Sequence, residues 1–253
     1  MTRWAVTVGN STLLAVLFDE MTIVDEHRWR TDEFRNHGVA SNELTAFLSG
    51  RGRGAVLCCV VPTVREVVMT AMRGADSDGI LEVELSRHRP MPLLYRTPET
   101  LGADRYCAAL AARELFGAPV IVIDCGTMLT VNVVDGDGYF IGGSIAPGIR
   151  TSMRVMHDRG MMLPEVDLAE PPSVIGRDTA ESMRAGALHH SRCGLEGMLR
   201  EIRRITGHDT PLCVTGGDAS LLLSSGFEVE RMKVDERLLS RGAILYLLLV
   251  HGC

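Results

Sequence analysis

Short runs of consecutive apolar residues, each closed by glycine or proline, set the rhythm of this chain. Residues 4–8 form one such run, a Gly9-Asn10-Ser11 turn follows, and residues 12–18 form another. Residues 21–28 can supply a third. Runs of this length between turn residues predict buried strands. Residues 42–48 have helical spacing. Residues 55–61 read as a continuous apolar strand ended by Pro62. A helix over 64–72 begins near that proline, where a missing N–H costs nothing. Residues 81–85 and 93–95 are short strand candidates, the proline-rich stretch 87–98 is a connection, and 104–116 is a helix.

The second half opens as the first does. Residues 120–124 predict a strand, Gly126 a turn, and 130–134 and 139–145 two more strands. Helices follow over 149–158 and 179–205, the latter expected to break near Gly194 or Gly197. Residues 212–215 form a strand running into Gly216-Gly217, and 238–249 a final helix. Strand, glycine turn, strand, strand and then helices therefore occur twice. Such duplication predicts an α/β protein of two similar lobes with a cleft between them. The expected division is 1–98 for the N-terminal lobe and 99–253 for the C-terminal lobe, with the last helix free to cross back.

Composition narrows the function. The chain has 253 residues, is 46% hydrophobic and carries a formal net charge of −6. Nucleic acid is not the expected partner, because phosphate backbones call for a basic field. The sequence predicts no leader peptide and no membrane span. Seven cysteines without framework spacing suit a reducing cytoplasm. Lys233 is the only lysine, so no Gly-Lys-Ser/Thr phosphate loop exists. Any nucleotide must be held by carboxylates, backbone amides and arginines.

Several positions carry candidate chemistry. Asp124 ends an apolar run and is followed by Gly126 and Thr127. Two readings stand: an ordinary hairpin, or a turn that offers a carboxylate, a hydroxyl and backbone N–H groups to a cation and phosphates. A buried carboxylate needs a partner, and either a cation or an arginine meets that need. Asp104 falls at a helix start, where aspartate is a common cap and can also be a base near an alcohol. Arg105 beside it can grip a carboxylate or pair within the chain. His189 and Cys193 are one helical turn apart, but no further ligands stand at zinc spacing, so a non-metal role is expected there.

Taken together, the motifs resemble a known family. Thr7-Val8-Gly9-Asn10-Ser11 is similar to the first phosphate loop of the acetate kinase/sugar kinase/Hsp70/actin superfamily. Asp124-Cys-Gly-Thr127 is similar to the second loop, and Thr215-Gly216-Gly217-Asp218 to the adenosine turn. Within it the chain resembles the type III pantothenate kinases. The stretches Leu101-Gly-Ala-Asp104-Arg105, Gly142-Gly-Ser-Ile-Ala-Pro-Gly148, Leu163-Pro-Glu165 and Ile175-Gly-Arg-Asp-Thr179-Ala-Glu181-Ser182-Met183 follow that family's order.

The resemblance implies ribonuclease H-like lobes of the actin-like ATPase fold. It also implies ATP-dependent phosphorylation of pantothenate to 4′-phosphopantothenate, the first step of coenzyme A synthesis. Asp104 matches the base; Gly102, Ala103, Asp104, Arg105 and Thr179 match pantothenate contacts. Thr7, Val8, Gly9, Asn10, Ser11, Thr12, Leu13, Leu14, Thr127, Gly216 and Gly217 match ATP contacts. Asp124 matches the ligand of a monovalent cation, K+ or NH4+, while ATP brings Mg2+ or another divalent ion. A homodimer is implied. One departure matters: the family's first loop begins with aspartate, and here Thr7 stands in its place. Asn132 likewise stands where the family often has aspartate. A catalytically weak homologue acting as a ligand-binding or regulatory accessory is therefore the alternative expectation.

Overall fold

The computed structural model describes residues 1–35, 38–75, 79–168 and 173–252. The chain divides into two compact units. The first comprises Met1–Leu115 together with the chain from Arg237 onward; the second is Phe116–Glu236. The first unit thus runs past the division expected at 98/99 and also claims the last helix.

The first unit is built on a five-stranded sheet. Its strands are β1 (Thr2–Val8), β2 (Thr12–Asp19), β3 (Thr22–Arg30), β4 (Ala55–Cys59) and β5 (Ile80–Glu82). Their order is β3-β2-β1-β4-β5, antiparallel across β1, β2 and β3 and parallel from β1 to β5. The continuous apolar runs of β1, β2 and β4 follow from burial of these strands on both faces. Helices α1 (Val39–Leu48) and α2 (Pro62–Gly74) share a core with β1, β2 and β4 that includes Trp4, Leu13, Leu44, Leu57, Val68 and Met72. Pro62 does occupy the first turn of α2. Residues 93–95 do not form the expected strand: Leu93 makes an isolated bridge.

Helix α3 (Ala103–Phe116) and helix α7 (Leu238–His251) complete this unit, α7 packing on β1 and β4. Their contact is close. A Cβ placed on Gly242 would come within 1.8 Å of the Cys107 carbonyl oxygen, so glycine is required there. Leu238, Ile244, Tyr246 and Leu247 of α7 are all buried, each worth about 1.5–3 kcal/mol of transfer free energy. The Tyr246 hydroxyl bonds the carbonyls of Glu84 and His88.

The second unit repeats the plan. Strands β6 (Val120–Cys125), β7 (Met128–Val134), β8 (Phe140–Pro147), β9 (Leu212–Thr215) and β10 (Met232–Val234) form a sheet in the order β10-β9-β6-β7-β8. Renumbered from its own first strand, that order is identical to the first sheet's, and the strand directions agree as well. The expected duplication is therefore present in topology. Helices α4 (Ile149–Arg159) and α5 (Thr179–Thr206) pack over it, with the short α6 (Ala219–Ser224) after β9. Helix α5 does not break at Gly194 or Gly197. Leu188, Leu195 and Leu199 are buried along it. Their packing offsets the roughly 1 kcal/mol that each helical glycine costs relative to alanine.

Candidate functional site

The two duplicated turns occupy equivalent places. Thr7 pairs with Leu14 across the β1–β2 hairpin and with Cys58 of β4. Asp124 pairs with Thr130 across the β6–β7 hairpin and with Thr215 of β9. The turn glycines correspond too: the Gly9 N–H donates to the Thr12 carbonyl at 2.9 Å, and the Gly126 N–H to the Met128 carbonyl at 3.1 Å. The first loop is one residue longer than the second. One of two matched positions carries a carboxylate and the other a neutral hydroxyl.

In the first unit Thr7 is buried, and its hydroxyl donates to the Leu14 carbonyl at 3.4 Å. Val8, Leu13 and Leu14 are buried as well, so their side chains serve the core; Asn10 and Ser11 are exposed at the tip. Asp104 stands in the first turn of α3 and is partly buried. Its Oδ1 accepts the Arg105 N–H at 2.8 Å. A Cβ on Gly102 would come within 2.4 Å of that same oxygen, so the glycine leaves the carboxylate room to fold back. Burial raises the Asp104 pKa above its ordinary 3.8, against the lowering effect of the Arg105 N–H and charge.

Cys58, the β4 partner of Thr7, has its thiol pushed well up by the neighbouring Cys107 and by burial, and the Asp104 charge adds to this. Arg105 is buried, with its guanidinium 6.0 Å from the Tyr95 ring centroid. Gly102, Ala103, Asp104 and Arg105 thus sit together at the start of α3.

The second unit gathers its predicted residues around Asp124. Gly216, at φ +96°, faces the Asp124 carboxylate so closely that a Cβ would approach Oδ1 to 2.4 Å and the Cys125 carbonyl to 2.5 Å. The Asp218 N–H donates to that Cys125 carbonyl at 2.8 Å, closing the glycine turn over the Asp124 strand end. Gly217 has open space around it. Thr127 is exposed at the turn. Burial pushes the Cys125 thiol far up and keeps it protonated, so it is a packing residue. Asn132 is fully buried and donates to the Thr130 hydroxyl at 3.2 Å.

Thr179 is the first residue of α5 and is exposed. The motif around it has a local purpose. The Asp178 carboxylate accepts the Glu181 N–H at 2.7 Å, and Glu181 reaches back to the Arg177 N–H at 2.8 Å. This reciprocal cap starts the helix. The Arg150–Asp218 ion pair, 2.8 Å, joins α4 to the glycine turn and was not legible in sequence, because 68 residues separate the partners. Among the described residues no cluster of three or more His, Cys, Asp or Glu could cage a metal; Cys193 is exposed and His189 half-buried on α5. No helix among them is long and apolar enough to cross a membrane.

Comparison with known proteins fits this arrangement. The family model for type III pantothenate kinase matches residues 4–201. A type III pantothenate kinase of Frankia alni is 34% identical over 233 residues, covering 90% of this chain and 92% of that one. The crystal structure of a conserved Campylobacter jejuni protein superposes with a TM-score of 0.64 at 16% identity, covering 99% of this chain and 100% of that one. A ROK hexokinase from Thermus thermophilus does so with a TM-score of 0.53 at 14% identity, covering all of both chains. These last two likenesses establish the two-lobed, actin-like α/β fold of the sugar kinases. On the sequence matches, the chain belongs to the type III pantothenate kinase family.

Proposed function

We propose that this chain phosphorylates pantothenate with ATP, using Asp104 as general base and the two glycine turns as phosphate cradles. Family membership gives the reaction: phosphoryl transfer to pantothenate, yielding 4′-phosphopantothenate at the start of coenzyme A synthesis. The residue roles are our reading. The observation that carries it is the partly buried Asp104, whose pKa burial raises, placed at a helix start beside buried Arg105. A carboxylate less acidic than usual takes an alcohol proton more readily. Arg105 and Thr179 are the pantothenate contacts in this reading.

The nucleotide is held by backbone N–H groups of residues 7–14, by Thr127, and by Gly216 and Gly217, which admit a flat base near the backbone. Asp124 is assigned a weakly held monovalent cation in this reading: its carboxylate stands near the Cys125 carbonyl, both closely approached by the Gly216 backbone. The same residues do not cage a divalent ion. Thr7 is neutral and its hydroxyl is directed to Leu14. Mg2+ therefore arrives with the phosphates of ATP and keeps water as its other ligands, as that ion commonly does. A homodimer follows from the family resemblance.

Purified protein supplied with ATP, Mg2+, K+ and pantothenate is expected to form 4′-phosphopantothenate, detected by mass spectrometry. Nucleotide binding without product, across divalent and monovalent cations, would overturn the reading in favour of an accessory role.

A further inference from the structure

Both glycine turns are tied down from behind by a threonine hydroxyl and a backbone N–H from the segment that follows the third strand of each sheet. In the first unit this is Thr31, which is fully buried. Its hydroxyl donates to the Gly9 carbonyl at 2.7 Å, and its N–H donates to the Ser11 carbonyl at 3.1 Å. In the second unit the Gly148 N–H donates to the Thr127 carbonyl at 3.0 Å, and the Thr151 hydroxyl donates to the same oxygen at 2.6 Å.

The two arrangements are register equivalents. Thr12 pairs with Arg30, so Ser11 faces Thr31; Met128 pairs with Pro147, so Thr127 faces Gly148. They differ because the second loop is one residue shorter and lies nearer. A Cβ at position 148 would fall 2.0 Å from the Gly126 carbonyl oxygen, which excludes threonine there. The hydroxyl comes instead from Thr151 in the first turn of α4.

A trans peptide directs its C=O and its N–H to opposite sides. Holding the Gly9 carbonyl therefore fixes where the Asn10 N–H points, and holding the Ser11 carbonyl fixes the Thr12 N–H. Preset donors bind phosphate better than donors that must be ordered on binding. We propose that Thr31 and Thr151 are positioning residues, which preset the two turns for the triphosphate without touching it. This rests on the reading of the turns as phosphate cradles.

The test compares Thr31→Val, Thr31→Ser and Thr151→Val with the natural protein, by calorimetric titration with Mg-ATP and by steady-state kinetics. Thr31→Val is expected to weaken the ATP Kd and KM about tenfold, the effect of roughly 1.4 kcal/mol, with the pantothenate KM unchanged. Thr31→Ser, which keeps the hydroxyl, is expected to restore both. Wild-type ATP affinity in Thr31→Val, or equal loss for both substrates, overturns the proposal. If Thr31→Val does not fold, Thr151→Val decides: its hydroxyl lies at a partly exposed helix start, and unchanged ATP affinity there is the overturning result. A natural protein that binds ATP but does not phosphorylate pantothenate defeats the kinase reading alone, since the Kd comparison still stands. One that binds no ATP defeats both.

Discussion

The Asp124 carboxylate lies directly against the backbone of Gly216, with no room for a Cβ between them. Two strands that are far apart in sequence, β6 and β9, are locked together at this point by the Asp218 N–H on the Cys125 carbonyl. Gly216→Ala meets a positive φ, an acidic oxygen at 2.4 Å and backbone at 2.5 Å all at once. Strain and clash of this kind cost about 2–4 kcal/mol. A urea titration should show a lower midpoint with an unchanged slope. Gly217→Ala, in open space, is the control and should be nearly silent.

Asp104→Asn should separate stability from activity. Burial raises the carboxyl pKa in the folded state, so the folded protein binds the proton more tightly than the unfolded chain does. Stability is then fullest below the unfolded pKa and is lost as pH rises through the folded value. The neutral amide removes that cost at pH 7. The expected result is a thermal midpoint equal to or above that of the natural protein, with kcat lower by about 10²–10⁴-fold. A stable variant that kept its rate would remove Asp104 from the chemistry.

The same shift sets the acid limb of the rate profile. With Asp104 as base, kcat/KM for pantothenate should fall toward low pH with an inflection above the ordinary carboxylate value of 3.8. Phosphoryl transfer followed from pH 4 to 8 would show it. An inflection at or below 3.8 would point to another group.

Thr7→Asp tests the departure in the first turn. The site is buried, and the present hydroxyl donates to the Leu14 carbonyl. A carboxylate there would face that carbonyl oxygen as a second acceptor. Without metal the variant should lose about 2–4 kcal/mol. Mn2+ should restore part of this, because a metal that binds only the folded state stabilises it. The natural protein's midpoint should be indifferent to Mn2+ in the absence of nucleotide.

Gly242→Ala probes how the last helix docks. Its Cβ would lie 1.8 Å from the Cys107 carbonyl oxygen, which forces α3 and α7 apart. A loss of about 3 kcal/mol or more is expected by calorimetry. Leu249→Ala, on an exposed position of the same helix, should stay within about 0.5 kcal/mol.

The sheets were legible in the chain because their inner strands are buried on both faces, which forces unbroken apolar runs such as residues 120–123. The turn residues were legible because glycine and aspartate punctuate those runs. The edges were not. Strand β10 is three residues long with Lys233 and Val234 exposed, and it pairs only through its backbone to β9. A strand over 93–95 failed for the opposite reason: the residues suit one, but the prolines around them, Pro90 and Pro92, remove ladder donors. The Thr31 clamp left no trace either, since its partners lie 20 or more residues upstream and threonine after a strand is common.

The grouping of α7 with the first unit has a consequence for synthesis on the ribosome. The first unit is written in two instalments, with the whole second unit between them, so residues made first wait for those made last. Phe116–Glu236 can fold as soon as it emerges, while β1 and β4 stay uncapped until the helix after Arg237 arrives. A chain cut short near its C-terminus would leave its earliest strands exposed, and those apolar strands are the stretch that chaperones and proteases would find.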